Sequence, residues 1–568
     1  FGLILVSAFA EIISLGAVLP FLGILAAPDL VFNHYMIADV IRDQSITSPE
    51  QLVLPLTVIF VSLAIIAGLI RVLLLWFSSK LAFSIGADLS IEIYRRTLYQ
   101  PYSAHVNRNS SDLLSVVTNK IQTVIYGILL PLSGLINAIT LLIAVSIALI
   151  VINPIVAITV TVIFGSSYGL ISWITFKGLK SNGLRIADEQ TKVIKVLQEG
   201  LGGIRDIILD GAQQIYCDVY RKADYLFKKE QGNNFFISSS PRPAMETLAM
   251  VLIAALAYGL SRQAGGINTA IPLLGAIALG AQRLLPALQQ GYNSWATIVG
   301  TQASLVDTIE LLNQPISEEA IQAATAPISF QKNIQFEAVR FQYEKNGPWV
   351  LNAINLTIAK GSRLGIIGAT GGGKSTLMDL LMGLLMPAEG KLLIDGQIIT
   401  GSQVKSWQRN IAHVPQNIYL TDASFAENIA LCIAPEDIDI DRLKKASRQA
   451  QIASFIENQP EDYNTFVGER GIRLSGGQRQ RIGIARALYK QASVLVFDEA
   501  TSALDDATER AVMSTIEDLS RDFTIVIIAH RLSTLQHCDT IVELESGRLK
   551  EKVTFEQLLK GKDLPQKT

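Results

Sequence analysis

The chain has 568 residues, 48 Lys and Arg against 50 Asp and Glu, and only 17% charged residues, where a soluble domain carries about 25%. That scarcity excludes an ordinary soluble enzyme, and a net charge of −2 leaves no surplus of cations with which to hold nucleic acid. The average hides two parts, because residues 1–326 carry 41 of the charges and 327–568 carry 57. Lipid is the expected solvent of the first part and water of the second.

Six apolar stretches, at 1–27, 53–78, 122–152, 154–176, 236–261 and 269–298, reach the ~20 residues that a helix needs to cross ~30 Å of hydrocarbon. Pro154 separates the third from the fourth with almost no loop. The polar segments 80–120 and 177–235 keep apolar residues at helical spacing, such as Ile194, Leu197, Leu201, Ile204 and Ile208, which predicts helices running on beyond the bilayer. These two segments hold 15 of the 20 Lys and Arg of the first part and are therefore expected on the cytoplasmic side. The loop 28–51 is then external, and Val31, Phe32, Tyr35, Met36 and Val40 predict a short amphipathic helix there. The chain opens on Phe1, already inside an apolar run, so an incomplete N-terminus is expected.

Glu11, Arg71, Arg242, Glu246 and Arg283 fall within or at the edge of these spans, where a charge costs ~2.5–3.5 kcal/mol at the helix centre. Two readings stay open. The charges pair with one another, or Arg71, Arg242 and Arg283 line a cavity and hold an anionic headgroup through charge-assisted fork contacts. Cys217, Cys432 and Cys538 show no CxxC spacing, so neither a disulfide framework nor a metal site is implied. All three are expected to be small buried hydrophobes.

After residue 313 the composition becomes that of a linker, 314–327. From Ile328 short apolar runs alternate with helical ones, the pattern of buried parallel strands joined by crossover helices, so the second part is α/β. The run 364–368 leads into Gly368-Ala-Thr-Gly371-Gly-Gly373-Lys374-Ser375-Thr376. Backbone N–H groups unobstructed by side chains suit phosphate oxygens, with Lys374 at the β- and γ-phosphates and the Ser375 hydroxyl on Mg²⁺. An apolar strand ending in Asp498 and Glu499 supplies a carboxylate for the Mg²⁺ shell and one to polarise the attacking water.

Leu474-Ser475-Gly476-Gly477-Gln478 resembles the signature sequence of ATP-binding cassette (ABC) transporters. The resemblance implies that Tyr343 stacks on adenine and that Gln416 senses Mg²⁺ and the membrane domain. Val467–Gly471 resembles the X-loop of exporters, Ser502–Asp505 the D-loop, and His530 the switch histidine at the γ-phosphate. It further implies an all-α six-helix transmembrane domain, 1–313, followed by an α/β P-loop NTPase cassette, 328–568. The expected catalytic residues are Glu499, His530 and Lys374, and the expected Mg²⁺ ligands Ser375, Gln416 and Asp498. Gly368, Gly371, Gly373, Thr376, Ser475, Gly477 and Gln478 are expected to bind ATP.

In this family each ATP lies between the P-loop of one cassette and the signature of the other, so a chain with one set of motifs predicts a homodimer, with a heterodimer as the alternative. The membrane half, with Glu11 and Pro20, Pro241-Arg242 and Arg283-Leu-Leu-Pro286, resembles flippases for lipid-linked oligosaccharides. The expected cargo is therefore a lipid-linked oligosaccharide, glycolipid or polysaccharide precursor with an anionic phosphate or diphosphate headgroup, drawn from membrane lipid, and the expected location a bacterial inner membrane with the cassette in the cytoplasm. A drug, lipid or peptide exporter is the alternative. The segments Tyr102–Arg108 and Gly211–Tyr216 are expected to carry closure of the cassettes to the membrane helices.

Overall fold

The computed structural model describes residues 2–26, 53–106, 108–152, 154–261, 266–316, 327–499, 507–511, 514, 523–529, 532–536 and 538–557. The chain forms two compact units, one of Phe1–Leu98 with Arg108–Pro315 and the other of Tyr99–Asn107 with Ile316–Thr568.

The first unit is helical throughout its described residues. Its long helices are Gly2–Ala26, Val53–Leu98, Leu130–Ile152, Pro154–Gly202, Gln213–Ser239, Pro241–Ser261 and Gly266–Leu312. Pro154 stands at the first position of its helix, where its missing N–H costs nothing. Helix Pro154–Gly202 spans 49 residues and so carries Ile194, Leu197 and Leu201 in one unbroken rod. It ends at Gly203, and Ile204–Leu209 forms a separate short helix. Among the described residues, Val53–Leu98 and Ser111–Ile147 are long and apolar enough to cross a membrane. Leu54, Leu75, Trp173 and Ile174 are exposed, as side chains that face lipid tails would be.

Within this unit Phe164, Tyr168, Leu179, Met245 and Tyr292 form one core and Ile93, Ile121, Ile125 and Leu311 another. Small residues permit the closest approach, since a Cβ on Gly183 would strike the Gly300 carbonyl of helix Gly266–Leu312. Two wide π-helical segments, Val116–Lys120 and Ile125–Leu129, interrupt the path into helix Leu130–Ile152. The first ends on buried Lys120, whose Nζ meets Asp307 Oδ2 at 2.5 Å.

The second unit contains two sheets. The strands β1 (Asn333–Phe341), β2 (Leu351–Ala359), β4 (Glu389–Ile394) and β5 (Gln397–Ile398) form an antiparallel sheet of order β2-β1-β4-β5. The other sheet takes β3 (Arg363–Ile367), β6 (Ile411–Val414), β7 (Val494–Asp498), β8 (Thr524–Ile528), β9 (Thr540–Glu545) and β10 (Arg548–Val553) in the order β10-β9-β3-β8-β7-β6. Its pairs from β6 to β9 are parallel and β10 is antiparallel. β7 and β8 are buried along nearly their whole length, which is why both read as unbroken apolar runs. Crossover helices put the ends of β3, β7 and β8 at one edge, where ligands of α/β sheets bind.

The cysteines correct the sequence expectation. Cys538 is buried, and burial pushes its thiol up to about 12, but Cys217 and Cys432 are exposed. Cys217 lies on the polar helix Gln213–Ser239, and Cys432 occupies a left-handed turn with φ of +67°. The expected outer helix at 28–51 lies outside the described residues.

Candidate nucleotide site

The loop from Gly368 to Gly373 leaves β3 and enters the helix Lys374–Leu381 directly. Gly371 and Gly373 have φ of +81° and +97°, backbone that side chains rarely tolerate. A Cβ on Gly368 would collide with the Leu544 carbonyl of β9. The loop thus leaves its N–H groups free of side chains at a helix N-terminus, where the helix dipole also favours an anion.

Lys374 is buried, and its Nζ donates to the carbonyls of Gly368 at 2.8 Å and Ala369 at 3.0 Å. The ammonium is therefore folded over its own loop. Ser375 is exposed beside it, while Thr376 is buried with its hydroxyl 3.1 Å from Tyr343 Oη. Tyr343 meets Phe341 edge-on at 5.1 Å between ring centres and remains exposed, which leaves ring surface for stacking. In the same unit Tyr102 has its phenol held above the usual range by burial and then by Asp379, and the Lys405 ammonium lies 5.5 Å from the Tyr99 ring centre.

Asp498 ends β7, and Glu499 follows in a left-handed conformation of φ +49° with its N–H bonded to Ile528 O at 3.1 Å. That turn takes the Glu499 side chain off the line of the strand, and its carboxylate accepts from Gln416 Nε2 at 2.6 Å. Gln416 reaches it because β6 and β7 are parallel neighbours.

Sequence reasoning missed Asp379. Burial and then Asp498 push its carboxyl up to about 6, so two acids stand close together with little water. An acid inside the apolar run 377–382 was the available signal. Among the described residues no group of three or more His, Cys, Asp or Glu could hold a metal unaided. One or two carboxylates with a hydroxyl nearby do fit Mg²⁺, which takes its remaining ligands from water and substrate phosphates.

Ser475 caps the helix Gly476–Lys490, its Oγ accepting from the Gln478 N–H at 3.2 Å while Gln478 Oε1 accepts from the Ser475 N–H at 2.7 Å. Gly477 lies in the first turn. Arg479 donates to Leu474 O at 2.9 Å and Gly471 O at 3.4 Å, tying the 467–471 segment to the signature. Arg486 joins the same helix to the segment after Gln416, donating to Tyr419 O at 3.1 Å and Asn428 O at 2.9 Å.

The structure thus brings Tyr343 to Thr376, Lys374 to the loop glycines and Gln416 to Glu499. Ser475, Gly477 and Gln478 stand apart at their own helix end. His530, Ser502–Asp505 and the side chain of Arg283 lie outside the described residues. In the membrane unit Arg71 Nη1 is 3.4 Å from Glu11 Oε1, and Arg242 Nε is 2.9 Å from Glu246 Oε1. Arg242 and Glu246 border a cavity of about 480 Å³ together with Tyr168, Gln289, Gln290 and Asn293.

Residues 351–502 match the ABC transporter family, and residues 18–269 match the ABC transporter transmembrane region. The chain is 31% identical over 495 residues to the ATP-dependent lipid A-core flippase of Chromohalobacter salexigens, covering 85% of this chain and 83% of the flippase. It is 38% identical over 285 residues to the alpha-hemolysin translocation ATP-binding protein HlyB of Escherichia coli O157:H7, covering 50% of this chain but only 40% of HlyB. A solved bacterial Atm1-family ABC exporter with ATP bound superposes with a TM-score of 0.79 at 25% identity, covering 97% of this chain and 96% of that one. The chain belongs to the ABC transporters of exporter type, with transmembrane region and cassette fused in one polypeptide. It is an integral membrane protein whose cassette binds ATP with Mg²⁺ and hydrolyses it to drive transport, and it works as a dimer.

Proposed function

We propose that two copies of this chain, each with six membrane-crossing helices, form an ATP-driven exporter that moves an amphipathic lipid. The observation that carries the cargo reading is the cavity beside Arg242 and Glu246. Among its described lining residues the two charges neutralise each other, and amides and a phenol supply the remaining polar groups, which suits a polar headgroup without a large net charge. That removes the main support for a diphosphate-linked oligosaccharide and favours the broader class of drug, lipid and peptide exporters. Within this class the 31% identity to a lipid A-core flippase over 85% of the chain supports a lipid.

The same reading assigns the nucleotide residues. Lys374 and the N–H groups of Gly371 and Gly373 hold the phosphates, and Tyr343 stacks on the base. Ser375, Asp498 and Gln416 would hold Mg²⁺, which supplies charge neutralisation to the phosphates when bound. Glu499 orients and polarises the attacking water, and His530 contacts the γ-phosphate. Ser475, Gly477 and Gln478 complete the site of the other copy through their helix N-terminus. The domain limits 1–313, 314–327 and 328–568 belong to this reading, as does a cytoplasmic cassette at a bacterial inner membrane.

The test is lipid-stimulated ATPase activity and flipping in proteoliposomes. A phospholipid or lipid A precursor is expected to stimulate hydrolysis, and Glu246→Gln, which leaves Arg242 without its partner, to shift the preference towards anionic headgroups. Stimulation by peptides or drugs alone would sink the lipid assignment, and two different subunits in the purified transporter would sink the homodimer.

A further inference from the structure

The cassette holds a second cleft, of about 650 Å³, bordered by the start of β6, the segment 429–433, the helix Ile440–Gln449 and the last turns of the helix Gly476–Lys490. Neither the P-loop nor Gln416, Ser475, Asp498 or Glu499 lines it. Its volume falls within the ~300–1,000 Å³ of small-molecule sites. Met382, Leu384, Leu431 and Ile433 make an apolar floor, and Arg442, Arg486 and Lys490 supply a cationic wall.

The described lining residues include no Asp or Glu, and Cys432 is the lining group that acts electrostatically on Arg486. Arg486 donates to the main-chain carbonyls of Asn428 and Tyr419, and Lys490 to those of Gln408 at 3.1 Å and Ile411 at 2.5 Å. Carbonyls fix the position of these cations without neutralising them. Burial holds both groups below their usual pKa ranges, although Lys490 keeps exposed surface. Arg442 differs, because its guanidinium stacks on Tyr489 at 4.6 Å while its Nε is buried without a hydrogen-bond partner. Two cations locked on main chain would be ordinary architecture. A third, resting on an aromatic ring beside an apolar floor, leaves a cation without an anion.

We propose that this cleft is a binding site, separate from the ATP site, for a small phosphate ester with an apolar body. The phosphate meets Arg442 and Lys490, and the alkyl or aryl group lies over Leu431 and Ile433. The charge of a phosphate dianion answers two of the three cations, and the floor rewards the apolar body by burying it.

The test uses the full-length protein in detergent with its nucleotide sites filled by a non-hydrolysable ATP analogue and Mg²⁺. Hexyl phosphate, inorganic phosphate and hexanol are titrated in turn by calorimetry. Hexyl phosphate is expected to bind at least about tenfold more tightly than either fragment, and Arg442→Gln to weaken it about tenfold with analogue binding unchanged. Leu431→Trp, which fills the floor and keeps every charge, is expected to abolish hexyl phosphate binding and spare the analogue, which separates a blocked cleft from a misfolded cassette. No binding of hexyl phosphate, or equal affinity in wild type and Arg442→Gln, overturns the proposal. Repeating the titration in nanodiscs with and without phosphatidic acid identifies the source of the ligand. Competition by that lipid assigns the cleft to a membrane headgroup, and lack of competition assigns it to a soluble ester.

Discussion

The Gln416 side-chain amide donates to the Glu499 carboxylate at 2.6 Å, so a residue two places past β6 holds the acid that follows β7 by a charge-assisted bond. Glu499→Gln removes the charge and keeps the size. It is expected to bind ATP as the wild type does and to hydrolyse it roughly 10²–10⁴-fold more slowly. Steady-state ATPase assays beside nucleotide-retention measurements check this, and wild-type turnover would remove Glu499 from the role of base.

Lys374 holds its ammonium on the Gly368 and Ala369 carbonyls, a position that only a flexible point charge reaches. Lys374→Ala is expected to weaken ATP binding roughly a hundredfold. Lys374→Arg is expected to rescue little, since a planar fork does not fit where three tetrahedral donors did. Fluorescent-nucleotide titration measures both.

The Lys120–Asp307 pair joins the first π-helical segment to the helix Gly266–Leu312. Asp307→Asn leaves a buried ammonium without its counter-charge and is expected to destabilise this unit by about 1–3 kcal/mol. The double variant Lys120→Met with Asp307→Asn is expected to recover most of that loss. Denaturation in detergent, read as a double-mutant cycle, gives the coupling.

His413 is partly buried, and burial lowers its pKa from the usual value. Below about 6.5 the unfolded chain takes up a proton that the folded imidazole refuses, so the folded state loses stability as pH falls and keeps it in full above that value. The cassette's melting temperature is expected to drop between pH 7.5 and 5.5, and His413→Gln to flatten that drop. An equal drop in the variant would assign the effect to another group.

Local motifs made much of the nucleotide site legible. Gly371 and Gly373 announce left-handed backbone, and Ser475 with Gln478 three residues on announces a capping box. Partners far apart in sequence were less accessible. Nothing in the spacing of Arg486 and Asn428 signals their contact, and the charge of Asp498 reaches Asp379 only because its helix follows β3 into the edge where β7 ends. The cost of leaving a charge alone in lipid signalled that Glu11 needs a basic partner, but nothing in the sequence picked out Arg71, 60 residues away. The π-helical segments carry no periodic signature, since one wide turn changes the phase of a helix without changing its composition. The cysteines were misjudged because average burial says nothing of Cys217, which sits on a helix whose buried residues are Ala223, Phe227 and Glu230.

The touching backbones at Gly183 and Gly300 have a mechanical consequence. With no side chain between them, two long rods meet at a hard pivot that neither sliding nor rotamer change can soften. Helix Pro154–Gly202 extends about 28 Å past that point to Gly202, at 1.5 Å per residue, so a tilt of about 10° there swings its end by about 5 Å. A valine at Gly183, whose Cβ would run into the Gly300 carbonyl, would push the rods apart at the fulcrum and blunt that leverage along the whole arm.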